Sequence, residues 1–122
     1  MILADTSVWV NHFRKRESTF IRELQRNNIS IHPFIIAELV LGSLPDRSNA
    51  IAWLDRLPKV QVAHLDEVRR MIEAHSLYSK GIGLTDAHLI ASTLITPFTQ
   101  LWTRDRRLLS IAVALGIDAG LG

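Results

Sequence analysis

The chain has 122 residues, 48% of them hydrophobic, which suits one domain with a real core and excludes wholesale disorder. It has no cysteine, so disulfides, thiolate zinc sites and cysteine nucleophiles are excluded. Fourteen Lys and Arg stand against twelve Asp and Glu, a net charge of +2.

Ile2 to Ala4 is an apolar run ended by Asp5 and reads as a first strand. A helix follows over Thr6 to Phe13, and a second starts at Ser18 or Thr19 and runs to about Arg26. Asn27-Asn28 marks a turn before a second strand, Ile29 to Ile31. Pro33 suits a first helical position and opens Phe34 to Leu41, with Gly42 as the stop. Asp46 or Ser48 caps a helix through Leu57, and Val60 to Ala63 reads as a third strand. Asp66 caps a helix bearing Val68, Met71 and Ile72 on one face and stopping near Gly81. His75 continues that face and is expected in the core. Thr85 caps a helix with the stripe Ala87, Ile90, Ala91 and Leu94. Gln100 to Trp102 is a fourth strand, with Trp102 in the core. Leu108, Ile111, Ala112 and Leu115 line a last helix ended by Gly116, and Ile117 to Ala119 is a fifth short strand. Alternating strands and helices imply right-handed crossovers, hence an α/β domain over residues 1–122. Its central sheet is short and mostly parallel, with four to five strands and helices on both faces.

The longest stretch without Asp, Glu, Lys or Arg, Ala87 to Thr103, has 17 residues and is broken by Pro97, short of the ~20 a membrane helix needs. Asp5 stands where a signal peptide would carry bases and then an apolar run. The expectation is a soluble cytoplasmic protein with no membrane partner.

The acids are informative because they are isolated. Asp5 is the only charged side chain from Met1 to Phe13, Glu38 the only one from Asn27 to Pro45, and Asp86 the only one from Gly81 to Thr103. A lone acid in an apolar run does little for solubility, and if buried it needs a partner. Glu38 shares a helical stripe with Ile35, Leu39 and Gly42, and Ile36, Ala37, Val40 and Leu41 fill the rest, so it points into protein or a cleft. Asp5, Asp86 and Asp105 each lie near a helix start, where capping is the plain alternative. Asp105 could also pair with its neighbouring arginines, and Glu38 with a single buried Arg.

Topology argues for convergence. Residues just after the strands of an open parallel sheet gather at its carboxyl edge. Two carboxylates ~5 Å apart repel by about 3 kcal/mol at an effective dielectric of 20, and four make the repulsion untenable without protons or a divalent cation. Oxygen ligands without Cys or a His pair favour Mg²⁺ or Mn²⁺. Such a site supports hydrolysis of a phosphodiester. Thr6, Ser7 and Thr103 could orient a carboxylate or a water, or serve only as turn and cap residues. With the four acids sequestered, fourteen bases face eight acids on the remaining surface, a +6 field suited to a phosphate-rich ligand.

These segments together resemble the PIN-domain family, and specifically VapC-type toxins of bacterial toxin–antitoxin pairs. The carrying residues are Asp5-Thr6-Ser7 after the first strand, Glu38 in Ile36-Ala37-Glu38-Leu39, the run Leu84 to Ala91 around Asp86, and Trp102-Thr103-Arg104-Asp105. The resemblance implies a PIN-like fold and a metal-dependent endoribonuclease. Asp5, Glu38, Asp86 and Asp105 would bind Mg²⁺ or Mn²⁺ and carry catalysis, with Ser7 and Thr103 as hydroxyl partners. It also implies RNA cleavage, often in tRNA or rRNA, a homodimer, and silencing by a cognate antitoxin. Many relatives have an acid where this chain has Asn11, which bears on a helix contact or substrate fit rather than on the ion.

Arg14, Arg104 and Arg107 are the candidate RNA-backbone contacts, with antitoxin pairing or a solvated face as alternatives. The five histidines show no ligand spacing, and Trp9 or Trp53 could serve a partner surface. An aspartate-nucleophile phosphotransferase would want an acid two residues after Asp5, where Ser7 stands. A phospho-receiver domain would want a late lysine, but the lysines are Lys15, Lys59 and Lys80. A non-cleaving RNA- or antitoxin-binding module of the same fold is the remaining rival.

Overall fold

A computed structural model describes all 122 residues. Its order is β1 (Ile2–Ala4), α1 (Thr6–Arg14), α2 (Ser18–Gln25), β2 (Ile29–Ser30), α3 (Pro33–Leu41), α4 (Arg47–Arg56), α5 (Leu65–Ala74), α6 (Leu84–Ile95), β3 (Gln100–Trp102) and α7 (Arg106–Ala114). The sheet is parallel in the order β2-β1-β3, with Leu3 level with Ser30 on one side and Leu101 on the other. Consecutive strand residues point to opposite faces, yet Ile2, Leu3 and Ala4 are all buried. Helices therefore cover both sides of the central strand. Trp9, Phe20, Ile35, Ile90, Trp102 and Leu108 fill the core around it.

The sheet has three strands, not the four to five expected. Ile117–Ala119 reaches it by one isolated bridge, Leu101 with Asp118, and next to Val60–Ala63 the one bridge, Ile31 with Lys59, lies just before that segment. The reason lies in where the backbone donors go. Beyond the bridge, the N–H of Gln61 bonds Thr96 Oγ1 at 3.0 Å and that of Ala63 bonds Ser92 Oγ at 3.3 Å, so both go to α6 rather than to a ladder. At the other edge, the Asp118 side chain accepts from Gly120 N and turns the chain away.

Helix α5 stops at Ala74, well before Gly81. Ser76 takes a left-handed conformation at φ 53°, its N–H returns to Glu73 O, and Leu77 N reaches Ile72 O at 2.9 Å. Leu77 is then buried against the core, the hydrophobic contact that accompanies this kind of helix stop. Asn27 after α2 and Gly116 after α7 close their helices by the same pair of bonds. His75 falls at this stop and is exposed, so the core position expected for it is corrected. The helix start also differs: Glu67, not Asp66, makes the capping bond, accepting from His64 N at 2.9 Å.

Candidate active site

Two of the four candidate acids, Asp5 and Asp105, stand at the carboxyl edge of the sheet, after β1 and β3. Asp5 ends β1 and caps α1, accepting from Val8 N at 3.2 Å. It is only 4% exposed. Ser7 Oγ donates to its Oδ1 at 2.5 Å, and Thr103 Oγ1 donates to its Oδ2. Both oxygens are thus held by hydroxyls that arrive from different strands' ends. Burial nonetheless pushes the Asp5 carboxyl above its ordinary value, against the lowering effect of those hydrogen bonds.

The β3–α7 junction is tied to the same point. Thr103 Oγ1 accepts from Asp105 N at 3.0 Å, and the N–H of Arg104 donates to Ser7 Oγ at 3.0 Å. Asp105 caps α7, accepting from Arg107 N and Leu108 N, and its side chain is exposed. The capping reading of the sequence thus holds at Asp5 and Asp105.

Glu38 lies in α3 and is exposed, so of the two settings its helix position allowed, protein or a cleft, it takes the cleft. Thr6 Oγ1 donates to Glu38 Oε1 at 2.6 Å, linking α3 to α1. The cleft, about 420 Å³, runs along Val10, Phe13, Arg14, Leu39 and Leu44. Asp86 lies in the first turn of α6, behind Gly83. Burial raises its carboxyl, and Asp105, Asp5 and Glu38 raise it further. A backbone hydrogen bond at Gly83 acts the other way.

No base neutralises the group. The ion pairs of the chain are Arg26–Glu23, Arg70–Asp66 and Arg104–Glu17, none involving these four acids. No three acids or histidines already stand close enough to cage an ion. The donors still fit a hard divalent cation, because they are all oxygen, uncompensated and mutually repelling.

The arginines divide. Arg14 is exposed beside Glu38 in the cleft. Arg107 is exposed, and its Nη1 donates to Gly81 O at 3.3 Å. Arg104, expected to face RNA, is turned into a two-pronged pair with Glu17, a residue the sequence did not single out because its partner is 87 positions away. Trp9 is fully buried against Phe20 and Trp53, so it is no partner surface, whereas Trp53 keeps one exposed edge. His32 caps α3 by accepting from Phe34 N, and burial, with His88 adding, lowers it to about 4. It is a neutral core group.

A model of the PIN domain matches residues 2–114. The chain belongs to the PIN-domain family. Two proteins named Ribonuclease VapC32, from Mycobacterium tuberculosis strains CDC 1551 / Oshkosh and ATCC 25618 / H37Rv, are each 36% identical over 117 residues, covering 96% of this chain and 94% of theirs. The VapC-type resemblance read from four short segments therefore extends along almost the whole PIN domain. No helix is long and apolar enough to cross a membrane.

Proposed function

We propose that the chain is a Mg²⁺- or Mn²⁺-dependent endoribonuclease acting as the toxin of a toxin–antitoxin pair. One observation carries this reading: Asp5 and Asp105 stand at the carboxyl ends of β1 and β3, joined through Thr103, and no ion pair neutralises them, Glu38 or Asp86. The likeness to proteins named as VapC ribonucleases supports the reaction class.

Asp5, Glu38, Asp86 and Asp105 hold the ion and carry catalysis in this reading. A bound ion would supply Lewis acidity toward the phosphodiester and lower the pKa of an attacking water. The chain's own residues prepare the place. Ser7 and Thr103 fix both Asp5 oxygens, and Thr6 fixes one oxygen of Glu38. Arg14, which shares a cleft with Glu38, and the exposed Arg107 are the proposed contacts to RNA phosphates and would raise the local concentration of a polyanion. RNA, with tRNA or rRNA as its class, a cognate antitoxin and a second copy of the chain are the proposed partners.

Cleavage of total tRNA and rRNA with Mg²⁺, Mn²⁺ or EDTA tests the reading, with Asp5→Asn as control and sequencing of the new ends. A unique cut that needs the ion and Asp5 is the expected result. Activity in EDTA would overturn the mechanism, and ion-independent binding without cleavage would leave the non-cleaving module in its place.

A further inference from the structure

We infer that Glu17 is a positioning residue for the acid site, acting by clamping the Arg104 guanidinium. The inference rests on the ion-binding reading above.

Glu17 sits between α1 and α2, far along the chain from the β3–α7 junction. Arg104 Nη1 donates to its Oε1 at 2.7 Å, and Nη2 donates to Oε2. The two side chains are only 28% and 22% exposed, so this pair is more sheltered than an ordinary surface pair. The guanidinium also lies over the buried Trp102 ring, 5.7 Å from its centroid. Arg104 is therefore held from the front by a carboxylate and from beneath by an aromatic face.

What that grip fixes is the backbone. Arg104 is the residue between Thr103 and Asp105. Its N–H donates to Ser7 Oγ, and Ser7 donates to Asp5. Thr103 donates to the other Asp5 oxygen and accepts from Asp105 N. One clamped residue thus sets the position of both hydroxyls on Asp5 and of the Asp105 cap. A guanidinium whose fork is filled by Glu17 has little left for a phosphate, which separates Arg104 from Arg14 and Arg107.

The test is Mn²⁺ affinity of the full chain, by calorimetry with Mn²⁺ alone, for Glu17→Gln, Arg104→Lys, Arg104→Ala and the double variant Glu17→Ala/Arg104→Ala. Thermal melting checks that each is folded, and Glu17→Gln keeps the shape of the pair if the alanine variants melt early. Each single change is expected to weaken Mn²⁺ binding about tenfold, as loss of a support behind an ion ligand does. The double variant is expected to be no worse than the worse single one, because both remove one interaction. Cleavage of total tRNA should lose kcat with KM little changed. Wild-type Mn²⁺ affinity in folded Glu17→Gln would overturn the inference. So would a raised KM in Arg104→Ala that Arg104→Lys restores, since a lysine replaces a phosphate contact but not a two-pronged clamp. A wild-type chain that takes up no Mn²⁺ would instead sink the ion site itself, and this inference with it.

Discussion

Asp5 and Glu38 are both acids at one sheet edge, yet their surroundings are opposite. Asp5 is buried, and two hydroxyls and a backbone N–H hold its oxygens before anything binds. Glu38 is exposed in a cleft, with one hydroxyl on one oxygen. In the proposed site this separates a fixed half, tied by hydrogen bonds at β1 and the β3–α7 junction, from a more loosely tied, adjustable half on α3 and α6. Burial raises one carboxyl in each half, Asp5 in the first and Asp86 in the second.

The largest expected effect separates the two halves directly. Asp5→Asn and Glu38→Gln should each reduce cleavage at least about 100-fold, the scale of losing a charge-stabilising group. Their metal-free stabilities should differ. Asn caps a helix as well as Asp, so Asp5→Asn removes a buried charge while keeping the cap, and it should melt no lower than wild type at pH 7. Glu38→Gln should melt as wild type does. A collapse of Asp5→Asn would mean that its carboxylate holds the fold rather than prepares a site.

Ion removal is next in size. Adding Mn²⁺ at one hundred times its Kd should stabilise the chain by about 2.7 kcal/mol at neutral pH, and EDTA should reverse it. The pH dependence has a definite sign. Asp5 and Asp86 are raised in the folded chain, so without an ion their stabilising contribution is complete below about pH 3.8 and is lost as the pH climbs through their raised values. An ion favours their charged forms and reverses that trend. The gap between melting curves with and without Mn²⁺ should therefore widen from about pH 4 to pH 7. A gap that narrows would exclude these two acids as its ligands.

The adjustable half depends on the loop that delivers Asp86, and Gly81 tests it. Gly81 has φ +77°, and a Cβ there would meet the Arg107 side chain at 3.0 Å. Gly81→Ala should cost about 1 kcal/mol in denaturant unfolding and disturb the Arg107 bond to its carbonyl. Mn²⁺ affinity should fall too if that loop sets Asp86, while unchanged affinity would make the loop a spectator.

Sequence made the fixed half legible because strand ends and caps are local. Asp5 after Ile2–Ala4 and Asp105 after Gln100–Trp102 are where the pattern puts them. Asp5, Glu38 and Asp86 stood out by their isolation in apolar runs, whereas Asp105, set among Arg104, Arg106 and Arg107, did not. The choice between protein and cleft for Glu38 stayed open in the sequence, since the otherwise apolar α3 gives no hint of which flank a cleft opens. The outer strands were overcalled because Val60–Ala63 has strand chemistry but gives its N–H groups to hydroxyls of α6, a tertiary choice. Glu17 carried no local signal at all, since only the fold brings it to Arg104.

The smallest effect probes the stop of α5, which opens the loop leading to Asp86. The sequence led past Ser76 because serine is a weak stop signal compared with glycine. In the structure it holds φ 53° and closes the helix as Gly116 does after α7. Ser76→Gly relieves the left-handed strain at the cost of a freer unfolded chain, for a net gain of about 0.5 kcal/mol. Chemical denaturation should register that gain with the slope unchanged, and cleavage should not alter. A loss of stability would mean that the burial of Leu77, rather than backbone preference, dictates where α5 ends.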